Sequence, residues 1–206
     1  MSGAPTIAEL VVGASPDHWR AAGFAVDADD RVVIGTVTLR LDADGDHGIA
    51  SWSLRAAVPS EIDGLATTAS PRSDFPDPVV HPNHVVAIDH LVVLTPDLDR
   101  TIDALAEQGL ELRRIREGPA GDGREVKQAF FRMAEVILEV VATGRGREEP
   151  ARFWGLTFLS DDLDATLAAL GPERVSEARA AVQPGRRIAT VRESAGLGVP
   201  VALMDR

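Results

Sequence analysis

The sequence contains no cysteine in 206 residues. Disulfides, thiolate nucleophiles and thiolate-held metals are thereby excluded. Basic residues are scarce: 21 Lys and Arg stand against 32 Asp and Glu, giving a net charge of −11. Nucleic acids and anionic membranes are recognised by clustered Lys and Arg, so neither is expected as a partner. No apolar run approaches the roughly 20 residues of a membrane span. Residues 1–10 lack the basic and apolar regions of a secretory leader. A soluble cytoplasmic protein is expected. Catalytic signatures are missing too: there is no G-x-S-x-G elbow, no Walker loop and no H-E-x-x-H pair.

What is present is a 45% apolar, globular composition with an internal repeat. The stretch Ala87-Ile88-Asp89-His90-Leu91-Val92-Val93-Leu94 reads as a strand. Thr95-Pro96-Asp97 breaks it and starts a helix, on which Leu98, Ile102, Leu105 and Ala106 share one face. Strands are expected at 110–116, 126–133 and 135–142. The pattern recurs at an offset of 65, with Leu98/Leu163, Asp99/Asp164, Thr101/Thr166 and Leu105/Leu170 in register. A weaker match at offset 81 aligns Ile7/Ile88, Leu10/Leu91, Val11/Val92 and Val12/Val93. The first unit is expected to place strands at 7–13, 24–26, 31–41 and 49–56 and a helix from Ser15 to Ala22. Pro59, Pro71, Pro76, Pro78 and Pro82 mark the stretch before residue 85 as an irregular connector.

A repeated β-α-β-β-β unit, with Ile88-Asp89-His90 in a first strand and Glu139 in a last one, resembles the vicinal oxygen chelate superfamily. Glyoxalase I, bleomycin-resistance proteins and extradiol dioxygenases make up that group. The resemblance implies an α+β fold of tandem βαβββ modules, forming a cupped, barrel-like mixed sheet with helices outside. It divides the chain into an N-terminal module (1–58), a Pro-rich connector (59–84) and a two-module domain (85–206, as 85–143 and 152–206).

The resemblance also implies metal ligands on the first and last strands of each module. His90 and Glu139 fill those slots in the second unit, and a His–carboxylate pair suits Zn, Fe, Mn or Ni. The third unit offers Gly155 and, at offset 65, Met204, neither of which binds a hard metal. The first unit offers Glu9 and, roughly, Ser53. Pairing of units one and two would assemble Glu9, His90 and Glu139. Pairing of units two and three, favoured by their closer match, leaves only two ligands. The cofactor is thus one divalent metal or none, and the reading leans towards a degenerate, metal-free site.

A carboxylate inside an apolar strand must be paired, protonated, metal-bound or facing a wet cavity. The cavity reading is preferred for Glu139, which would also carry a proton in a catalytic version. Gln128, Phe130 and Arg132 alternate on one strand face, so Gln128 and Phe130 are candidate ligand contacts. Trp154 is a candidate for the pocket rim, and Arg187, in Gln183-Pro184-Gly185-Arg186-Arg187, for an anion clamp. His47, His81 and His84 are read as surface residues. Three functions follow: small-molecule binding in the cupped sheet, a metal-dependent lyase, isomerase or dioxygenase, or a structural module. A homodimer is left open.

Overall fold

The computed structural model describes residues 4–57, 61–119, 125–144 and 148–206. The tip of the expected 118–123 turn, the middle of the 144–149 linker and the first residues of the connector lie outside them. The elements run β1 (Thr6–Gly13), α1 (Pro16–Ala21), β2 (Arg31–Ile34), β3 (Val37–Leu41), β4 (Gly48–Arg55), β5 (Thr67–Ala69), β6 (Val85–Thr95), α2 (Leu98–Glu107), β7 (Leu112–Pro119), β8 (Glu125–Met133), β9 (Val136–Ala142), β10 (Arg152–Ser160), α3 (Leu163–Leu170), β11 (Arg179–Ala180), β12 (Arg187–Val191) and β13 (Val201–Asp205). No described helix is long and apolar enough to cross a membrane.

The strands form two sheets, ordered β2-β3-β1-β4-β5 and β11-β12-β13-β10-β6-β9-β8-β7. Units two and three share the larger one, joined where β6 runs antiparallel to β10. Within each unit the first strand lies parallel to the last: β6 to β9 and β10 to β13. Both helices start with the same polar clamp. Asp97 accepts from the Arg100 N–H and Asp162 from the Ala165 N–H. Thr95 and Ser160 hydroxyls accept from the backbone N–H two residues on, and each lies 2.7 Å from the hydroxyl of Thr101 or Thr166. These bonds satisfy amides that the first helical turn leaves orphaned.

The smaller sheet departs from the expected first unit. Residues 31–41 are a hairpin and not one strand. Gly35 turns the chain at φ +59°, and a Cβ there would come within 3.3 Å of the Ala87 Cα. Residues 24–26 form no strand. The parallel partner of β1 is β3, whereas β4 runs antiparallel to β1. In register, β4 therefore matches β10. Extra residues interrupt the β1–β4 pairing at Ala8 and Ala50, and the β6–β10 pairing at Asp89 and Trp154, in equivalent places. The parallel pair β4–β5 likewise matches β10–β13, with Trp52↔Thr67 standing where Leu156↔Val201 stands. The smaller sheet is a reduced copy of the larger one, keeping its centre and losing outer strands.

Apolar faces of the two sheets meet in one core. Leu10, Leu39, Trp52 and Leu54 from the smaller sheet are fully buried, as are Leu91, Val93 and Phe158 from the larger. The Trp52 and Phe153 rings lie 5.2 Å apart at 71°, and Trp19 packs on Phe24 at 4.8 Å. Such pairs add about 0.5–1.5 kcal/mol to the burial of each ring. The Trp19 indole N–H donates to the Leu197 carbonyl at 3.2 Å, tying α1 to the third unit. The connector is packed too. His81 and Asn83 are buried, and His81 bridges Ala25 N–H and Val33 C=O, which corrects its reading as a surface residue.

Candidate functional site

The outer face of the larger sheet is set by strand alternation. In β8, Ala129, Phe131 and Met133 are buried in the core, while Gln128, Phe130 and Arg132 face the other way. In β9, Leu138 and Val140 are buried and Glu139 lies between them on the opposite face. Gln128 donates from Nε2 to Glu139 Oε1. Burial pushes the Glu139 carboxyl above its ordinary range, and His90, Gln128 and Arg116 pull the other way without cancelling that push.

Asp89 is one of two extra residues in β6, the other being Val86. His90 pairs with Thr157 and Ile88 with Phe158, which leaves Asp89 without an opposite residue. A bulge of this kind breaks the alternation of neighbouring side chains. Asp89 Oδ2 consequently lies 2.5 Å from His90 Nδ1, both side chains being largely buried. Apart from this close approach to His90, the buried Oδ2 atom has no hydrogen-bond partner among the described residues. Burial works to raise the Asp89 carboxyl, but His90, Arg186 and Gln183 together hold it below its ordinary value. Arg186 Nη1 reaches Asp89 at 3.7 Å, so the turn before β12 is held over this part of the sheet.

A cavity of about 250 Å³ opens beside these residues, lined by His90, Phe130, Ile137 and Gln183 together with Arg113, Arg114 and Arg132. His90 Nδ1 is taken up by Asp89, and Nε2 has no protein partner among the described residues.

A resident metal is implied by the resemblance, and the donor set does not fit one. No group of three or more His, Cys, Asp or Glu side chains could hold an ion among the described residues. Register sharpens the reason. Glu139 pairs with Val92, whose equivalent in the third unit is Thr157, and Thr157 pairs with Ala202. Ala202, and not Met204, therefore stands in the slot of Glu139. Two fewer residues separate the first and last strands of that unit, which shifts the offset from 65 to 63. The first unit gives Glu9 opposite Thr38 and Arg40 opposite Val11, so Arg40, and not Ser53, matches Glu139.

The structure brings together His90, Glu139, Gln128 and Phe130. It does not bring Glu9 to them, since Glu9 sits in the other sheet 3.6 Å from Arg40. Trp154 is 45% exposed and lies outside the lining of the cavity. Arg187 turns away from it, bonding Asp164 and Asp205 at 2.8–3.3 Å, and these carboxylates push its basicity up further. Arg132 lies on the strand face that the alternation of Gln128 and Phe130 had marked, whereas Asp89, Arg114 and Gln183 are additions that the sequence reading did not single out as contacts. For the two arginines a signal was present, as cations on the β7–β8 hairpin of an acidic chain.

No family model matches the sequence, and no curated protein matches it. Solved structures do. Methylmalonyl-CoA epimerase from Mycobacterium tuberculosis is 19% identical, with 59% of this chain and 89% of that one covered, at a TM-score of 0.47. A hypothetical protein from Bacillus halodurans C-125 is 14% identical, covering 58% and 93%, at 0.46. A variant of the Streptomyces coelicolor methylmalonyl-CoA epimerase, in complex with 2-nitronate-propionyl-CoA, is 22% identical, covering 57% and 95%, at 0.44. Strand order, parallel first-to-last pairing and helix placement give residues 85–206 two tandem βαβββ units in one mixed sheet, the architecture expected from the repeat.

Proposed function

We propose that the chain binds a small organic molecule on the outer face of the larger sheet, in a degenerate site without a resident metal. The two units in 85–206 would form the binding part, and residues 1–58 a reduced copy that backs it. The observation that carries this reading is the cavity itself. It places an imidazole with a free Nε2, an amide at Gln183 and the apolar surfaces of Phe130 and Ile137 around one space. A few polar groups on an apolar lining are what small-molecule sites use to orient a ligand. At about 250 Å³ the space lies below the ~300–1,000 Å³ of sites for drug-sized ligands, which favours a small one. Glu139 and Gln128 would form a polar flank of the same site.

The metal-dependent alternative needs a third donor, and Gly155 and Ala202 stand where one would come from. The test is a fragment screen by amide chemical-shift mapping. Shifts confined to residues around His90, Phe130 and Ile137 are expected. Their absence from every fragment, or their clustering elsewhere, would overturn the reading. Titration with Zn²⁺, Mn²⁺ and Ni²⁺ is expected to give no stoichiometric binding that His90→Ala removes.

A further inference from the structure

The charge around the cavity is opposite to that of the whole chain. Residues 112–132 carry six Lys or Arg against three Asp or Glu, in a protein of net charge −11. Arg113, Arg114 and Arg132 line the cavity, and no lining residue is acidic.

Most neighbouring cations are compensated. Arg113 lies 3.2 Å from Glu111, Arg186 is 3.7 Å from Asp89, and Arg116 faces Glu139. Lys127, on the other face of β8, lies 3.6 Å from Glu117. Arg114 and Arg132 differ. Among the described residues neither makes an ion pair. Arg114 instead lies over the Phe130 ring, 5.0 Å from its centroid. A guanidinium over an aromatic ring still has N–H donors at its edge. That is the arrangement that recognises a carboxylate or phosphate by paired hydrogen bonds.

We propose that the cavity takes a small organic anion, its carboxylate or phosphate held by Arg114 and Arg132 and its apolar body lying on Phe130 and Ile137. This rests on the reading of the cavity as a binding site. His90 Nε2 and the Gln183 amide then face the part of the ligand remote from the anionic group. The local positive field also draws anions into a protein that repels them elsewhere.

The experiment uses the intact chain and three probes of similar size: phenylacetate, phenyl phosphate and the neutral phenylacetamide. Binding is followed by amide shifts and by calorimetry at two salt concentrations. At least one anion is expected to bind at the cavity ten-fold or more tightly than the amide, and less tightly at high salt. A preference between the two anions distinguishes a carboxylate from a phosphate ligand. Arg114→Gln and Arg132→Gln are each expected to weaken that binding five-fold or more. Lys127→Gln, which removes the same charge from the opposite face of the hairpin, is expected to leave it unchanged. Both arginines are exposed, so the variants are expected to fold, and their amide spectra report it. If phenylacetamide binds the cavity as tightly as the anions, or the arginine variants bind normally, the anion proposal fails while the binding site stands. If no probe perturbs the cavity, both fail.

Discussion

Arg40 lies 3.6 Å from Glu9 in the smaller sheet, at the register positions that Glu139 and His90 hold in the larger one. The copy has thus filled its two ligand slots with opposite charges that satisfy each other. A slot closed in this way needs no ligand. The pair is partly open to water, with side chains 42% and 29% exposed, so it stabilises the sheet only slightly. A double-mutant cycle of Glu9→Gln and Arg40→Gln is expected to show a coupling of about 0.2–1 kcal/mol in urea unfolding. Probe binding at His90 is expected to be unchanged in both variants. A coupling well above 2 kcal/mol would mean that the pair is held far more rigidly than its exposure implies.

His81 makes stability depend on pH. Its Nδ1 accepts from Ala25 N–H at 3.1 Å and its Nε2 donates to Val33 C=O at 2.8 Å, an assignment that needs the neutral ring. Burial lowers its pKa below 6.5, and the Val33 carbonyl opposes this only in part. The unfolded chain therefore binds the proton more readily. The His81 contribution is fully present above about pH 6.5 and declines as pH falls towards the folded value. Urea midpoints measured from pH 8 to pH 5 are expected to fall in the native sequence and to fall less in His81→Gln. Equal slopes would show that other groups govern the acid limb. At pH 8 the variant itself is expected to cost about 1–3 kcal/mol, the penalty for disturbing buried hydrogen bonds.

The repeat of units two and three was legible because helix caps are local. Asp97 and Asp162, Thr95 and Ser160, Thr101 and Thr166 do the same work at an offset of 65, and the cap bonds they share join residues two to six positions apart. Register across a sheet is not local. Two residues lost between α3 and β13 were enough to move the equivalent of Glu139 from Met204 to Ala202. The hairpin at Gly35 was hidden because apolar residues flank it on both sides, so the sequence resembles one long strand. His81 looked exposed amid prolines, yet its two ring bonds are made to residues 48 and 56 positions away. Nothing near it in sequence signals those partners.

Gly155 occupies the slot of His90 in the third unit for a steric reason. A Cβ at this position would lie 2.7 Å from the Pro200 carbonyl oxygen, and backbone there cannot swing aside as a side chain can. Gly155→Ala is expected to destabilise the chain by about 1–3 kcal/mol, the usual cost of overpacking. Thermal unfolding measures it. A neutral result would show that β13 can shift away from β10 at little cost.

The two helix clamps also predict an asymmetry. Asp97→Ala and Asp162→Ala each remove one cap and are each expected to cost about 0.5–2 kcal/mol. The hydroxyls beneath them have different partners. Thr166 donates to the Asn83 carbonyl, a neutral group with a second lone pair for other bonds. Thr101 donates to the carboxylate of Asp63, whose side chain is only 7% exposed and whose other oxygen pairs with Arg100 at 2.7 Å. Thr101→Val leaves a buried charge short of one donor, and bonds to charged groups contribute about 1.5–3 kcal/mol against ~0.5–1.5 for neutral ones. Thr101→Val is therefore expected to lower the urea midpoint more than Thr166→Val does. Adding Asp63→Asn to Thr101→Val should recover part of the loss, because the group left unpaired is then neutral. If Thr166→Val proves the more damaging, the bond to Asp63 contributes little and the two clamps hold their helices by the shared caps alone.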